Sequence, residues 1–139
     1  MSPILRNILA VIVGVIIGGA INMGIISISG ALIPPPEGVN PNDIESLKAS
    51  MGSFGPKHFI FPFLAHALNS LVGVFLTAFI AINHKMKFAL GIGAFVLLGG
   101  IAAAFMLPAP TWFEILDLTL AYIPMAWLGG KIAIGFAKK

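Results

Sequence analysis

The chain has 139 residues, 58% of them hydrophobic and only 9% charged, with a net charge of +3 and a mean hydropathy of +1.02. Soluble domains carry about 25% charged residues, so this composition excludes a water-facing globular domain and makes lipid the main solvent. The basic residues are dispersed beside apolar runs, which speaks against a nucleic-acid partner, and the absence of cysteine excludes disulfides, thiolate catalysis and zinc–thiolate sites.

A single domain suits this length. The first span, over 4–28, carries Arg6 and Asn7 ahead of an apolar run that superficially resembles a signal peptide. It is longer than a signal core of about 7–15 residues, and Ser27-Ile28-Ser29 is a poor cleavage site, so a retained helix is expected. Ala10, Gly14, Gly18 and Asn22 recur every four residues and form one strip of small or amide side chains. Such strips let helix backbones approach closely in lipid, where packing and interhelical hydrogen bonds drive association.

Pro34-Pro35-Pro36 ends this helix, because proline removes a donor and clashes within a helix. The polar segment that follows contains Asn42, read as an N-cap, then Asp43 and Glu45 as an acidic first turn. Ile44, Leu47 and Met51 then give an apolar stripe on a short helix. Two readings fit: an amphipathic helix lying flat in the membrane interface, or a lid over a cavity between the spans.

The second run, 58–82, has 25 residues and no Asp, Glu, Lys or Arg. At roughly 1.5 Å per residue it is long enough to cross a bilayer core of about 30 Å. Ala65, Asn69, Gly73, Thr77 and Ala81 form a second four-residue strip, matching the first, and this helix is expected to be the central packing element. A tight turn, Asn83 to Lys87, leads to a third run over 88–107, where Gly99/Ala103 and Gly100/Ala104 read as close-contact pairs. Pro108 and Pro110 break it. Thr111 is read as the N-cap of a fourth run over 112–136, with a kink expected at Pro124.

The expected architecture is therefore an all-α membrane protein: four transmembrane helices with a short amphipathic interfacial helix in the first extracytoplasmic loop. Arg6, Lys85, Lys87, Lys138 and Lys139 fall on one side of such a bundle, so both termini should be cytoplasmic. Paired glycines at 18–19 and 99–100, each followed by a proline cluster, form a faint internal echo that the glycine-rich composition explains without a repeat. The stretches LIPPPEGVNPNDIESLKASM and PKHFIFPFLAHALNSLVG together resemble a family of uncharacterised small four-span bacterial integral membrane proteins. The resemblance is one of general pattern over most of the chain. It implies a bundle in a bacterial inner membrane and brings no activity or site residue with it.

The candidate chemistry lies in the extracytoplasmic half. His66 and Asn69 share one face of the second span and Glu114 and Asp117 one face of the fourth; Asn22 of the first span lies in the same half, and Tyr122 lies further down the fourth. Ionisable groups inside a membrane are costly and face the bundle interior. We read His66, Asp117 and Glu114 as candidate catalytic residues, and Asn22, Asn69 and Tyr122 as candidate ligand contacts. A carboxylate pair meeting a histidine can bind a divalent metal, perform acid–base chemistry or relay protons. Each has a plainer alternative. Glu114 in a helix's first turn serves the helix dipole, His66 can be a satisfied core histidine, and the asparagines can be packing glue; His58 is read as an interface residue. No established catalytic or metal motif is present, and neither cofactor nor metal is specified.

Three functions follow: a bundle whose polar cavity binds a small or lipid-like ligand, with or without catalysis; a proton- or cation-coupled carrier acting as a homo-oligomer; or a structural assembly factor without ligand. A cavity at His66 and Asp117 closed on the cytoplasmic side favours the first. A polar path past Thr77 to Lys131 favours the second, and a dry core with every polar group paired favours the third.

Overall fold

Every other span packs against helix α3, Ile60–Ile80. The computed structural model describes residues 1–139, and the remaining helices are α1 (Pro3–Leu32), α2 (Ile44–Ser50), α4 (Lys85–Met106), α5 (Thr111–Leu120) and α6 (Ile123–Ala137). Short 3-10 turns at Met51–Ser53 and Pro56–Phe59 lead into α3. Helices α1, α3 with its leading turn, α4, and α5 with α6 are the four segments long and apolar enough to cross a membrane. Only 23 of 139 residues are buried, while Phe105 is 84%, Leu98 66% and Ile16 62% exposed. Apolar exposure on this scale, all round the bundle, is what lipid solvates.

The two small-residue strips meet face to face, as expected. Ala10, Gly14 and Gly18 are the buried residues of α1, and they lie on Gly73 and Thr77 of α3. A methyl group added to Gly73 would come within 2.7 Å of the Gly14 carbonyl oxygen, so backbone touches backbone here. Thr77 Oγ1 lies 3.0 Å from Gly73 O and 3.2 Å from Ala10 O, so its hydroxyl can donate within α3 or across the helix contact. The contact continues to the end of α3. Arg6 Nε donates to Ile80 O at 2.8 Å, and the Asn7 amide bridges Ile82 N and Asn83 Oδ1. Lys85 Nζ donates to the carbonyls of Ala78, Phe79 and Ala81. Two cations thus satisfy the carbonyls that a helix C-terminus leaves without partners.

Helix α6 closes the other side of α3 with its own glycine. A methyl group on Gly129 would come within 2.6 Å of Leu71 O. Helices α4 and α6 meet where Gly93 faces Ala126 and Gly130 faces Ala89. Val74, Ala78, Ala89, Ile92, Ala126 and Ala133 form the apolar core at the end of the bundle that carries the termini.

Several expected details are corrected. The first span runs on to Leu32, four residues past the expected boundary, because nothing breaks it before the prolines. The cap of α2 is Asp43, whose carboxylate accepts from Glu45 N, and not Asn42. Pro110 and not Thr111 precedes the first turn of α5. The fourth span is two helices. Proline at position 124 has no N–H to give the carbonyl four residues back, so the helix breaks at Ala121–Tyr122 and restarts at Ile123. Finally, Gly99 and Ala103 make no helix contact: nothing lies within 4 Å of a methyl group placed on Gly99. They line open space instead.

Candidate functional site

The open space lies at the long-loop end. There a cavity of about 330 Å³ is walled by the last turns of α1 and α4 and the first turns of α3 and α5. Its roof is the polar segment: Pro35, Pro41 and Phe54 with Leu47 of α2 and Met51 of the 3-10 turn that follows it. His58 pins this roof. Its Nδ1 accepts from Gly55 N at 2.9 Å and its Nε2 lies 3.1 Å from Pro34 O, so the ring ties the two ends of the loop together as an Nε2–H tautomer. An aromatic cluster holds the rim. Phe59 lies 4.7 Å from Phe113 and 5.6 Å from Trp112, ring centre to ring centre, locking the start of α3 to the start of α5.

His66, on α3 and about 12 Å beyond His58 of the preceding turn, forms the cavity floor with Asp117 of α5. His66 Nδ1 is 2.9 Å from both carboxylate oxygens of Asp117. Tyr122, turned inward by the break between α5 and α6, donates its hydroxyl to Asp117 Oδ2 at 3.2 Å and lies over the His66 ring at 5.8 Å. Asp117 is only 5% exposed. A carboxylate there accepts from two donors, which offsets the cost of its burial. Because Asp117 accepts, the proton of a neutral His66 sits on Nδ1, and Nε2 presents a lone pair that no protein group uses. The arrangement supplies an oriented hydrogen-bond acceptor or base at the bottom of an apolar cavity.

Three expected site residues, His66, Asp117 and Tyr122, thus form one hydrogen-bonded unit. Glu114 lines the same cavity, but its Oε1 accepts from Ala109 N at 3.0 Å, so it caps its own helix and does not join the His66 unit. Asn22 and Asn69 do not bond to His66, whose tautomer is fixed by Asp117. Both line a second space, about 530 Å³, between α1 and α4. No three His, Cys, Asp or Glu side chains converge as a metal-binding group would require. Sequence reading missed His58 as the roof's anchor. Its signal was there: a histidine beside Gly55-Pro56, where the chain must turn.

Fold and site together define the class: an all-helical, four-span membrane bundle with a lidded cavity over a His–Asp–Tyr unit. No family model, curated protein or solved structure matches the chain.

Proposed function

We propose that this protein binds a small or lipid-like ligand in the lidded cavity, with His66 Nε2 as the polar anchor. The observation that carries this reading is the Asp117 contact, which takes up Nδ1 and leaves Nε2 free at the floor of an apolar space. A ligand donating a proton to Nε2 would be held and polarised by the pair, which is the first half of general-base catalysis. Below the site the bundle is shut. Thr77 spends its hydroxyl on backbone carbonyls, the core beyond it is apolar, and Lys131 turns outward over Trp127. This supports a binding cavity over a transmembrane carrier path. Asn22 Oδ1, buried without a partner, argues against a purely structural core. The cluster of Arg6, Lys85, Lys87, Lys138 and Lys139 supports cytoplasmic termini and an extracytoplasmic lid.

The test is native mass spectrometry of the protein released from its own membrane. One non-protein adduct per chain is expected. Ala104→Trp, which fills the cavity, should remove it without lowering thermal stability by more than about 1 kcal/mol. Absence of any adduct from the parent would leave the structural reading in its place.

A further inference from the structure

Helix α1 leans on α3 and scarcely touches α4, so a groove opens sideways between α1 and α4. Its outer wall is Phe95, Leu98 and Gly99, and the first two are more than half exposed on the bundle's lipid-facing side. Its floor is Asn22, Asn69, His66 and Tyr122. His66, Gly100 and Ala103 line both this groove and the lidded cavity, so the two spaces meet at the imidazole. A molecule dissolved in the bilayer has a route to His66 that does not pass beneath α2.

The unpaired polar groups at the junction restrict what that molecule is. His66 Nε2 and the buried Asn22 Oδ1 are acceptors without donors. The amides of Asn22 and Asn69 line the groove and carry N–H donors as well. No Lys or Arg lines either space, whereas Asp117 and Glu114 do, so an anionic phosphate headgroup meets like charge and no counter-ion. A carbonyl only accepts and would leave Nε2 and Asn22 Oδ1 unpaired. A hydroxyl both donates and accepts, so its single proton can pair Nε2, which a carbonyl cannot do, while its oxygen accepts from an amide N–H; Asn22 Oδ1 gains no donor in either case.

We propose that the groove admits a membrane-dissolved long-chain or isoprenoid alcohol sideways from the bilayer. Its hydroxyl is held by His66 Nε2 and the two asparagine amides, and its chain runs into the lidded cavity. This rests on the reading of that cavity as a ligand site.

The protein in nanodiscs is photolabelled with a diazirine-bearing dodecanol. Labels are expected in residues 95–107 and 22–33, and 1-dodecanol should compete at least about tenfold better than dodecyl phosphate, a gap of about 1.4 kcal/mol. In Gly99→Phe, where the new side chain starts in open space, labelling should fall about tenfold at unchanged thermal stability. Asn22→Leu, which removes a group that has no protein partner, is the second variant and should also label several-fold less. Equal competition by the phosphate overturns the alcohol assignment. Undiminished labelling of both variants overturns the side route and leaves the lidded cavity's role standing. Labels confined to the outer face around Trp127 overturn both. Cross-links between two copies through Leu98 assign the groove to a second chain and overturn the proposal.

Discussion

At the scale of single residues, the His66–Asp117 contact and Asn22 have opposite thermodynamic signs. Removing either member of the pair takes a hydrogen-bond partner from the other. His66→Ala and Asp117→Ala should therefore be non-additive, with a coupling of roughly 0.5–3 kcal/mol. Unfolding of the two single variants and the double variant in mixed micelles measures this, and additivity within about 0.3–0.5 kcal/mol would mean that the two side chains act independently. Tyr122→Phe keeps the ring over His66 and loses only the hydroxyl, at a cost of about 0.5–1.5 kcal/mol. Asn22 has no such partner. Asn22→Leu should raise the stability of the ligand-free protein, by about 1 kcal/mol. A loss of stability instead would show that Asn22 bonds within the bundle through a water.

Among the helices, glycine decides which faces join. Gly73 and Gly19 make a controlled comparison, since a methyl group on Gly73 meets the Gly14 carbonyl and one on Gly19 meets nothing. Gly73→Leu should force α1 off α3 at a cost of roughly 1–3 kcal/mol or more, whereas Gly19→Leu should be silent within about 0.5 kcal/mol. Thermal melts in detergent separate the two, and equal stability would place the Gly73 strip in lipid. The break between α5 and α6 works differently. It gives up helix hydrogen bonds so that Tyr122 turns to 2% exposure beneath Asp117. A continuous helix, favoured by Pro124→Ala, would carry the ring off that line.

For the whole molecule, the ends differ in kind. The end with the termini is apolar inside and ringed by basic groups; the loop end is hollow and capped. Reporter fusions at Lys139 and within residues 40–50 should lie on opposite sides of the membrane, the first cytoplasmic. Fusions on the same side would rule out four crossings. Helix α1 is held by α3 and by the Arg6 and Asn7 hydrogen bonds, and it barely meets α4. Its partial separation from α4 is also what opens the groove.

The sequence by itself determined the solvent, the number of spans and the helix pairing of α1 with α3. These depend on local and periodic properties: charge scarcity, run length, and small residues at every fourth position. It also brought His66, Asp117 and Tyr122 onto one short list, because ionisable groups in lipid must find one another. It favoured a helix-dipole role for Glu114 and a functional one for the deeper Asp117, although both share a helix face. Only the fold shows one bonded to the Ala109 backbone and the other to His66. The sequence did not separate the glycines that touch from those that face open space. Gly99 and Gly73 sit in similar strips, and their difference depends on where a neighbouring helix diverges. Cavities have the same origin: they are volumes left between non-neighbouring segments, which no periodicity along one segment records. The lid over His66 and the groove beside it were therefore decided by tertiary packing alone.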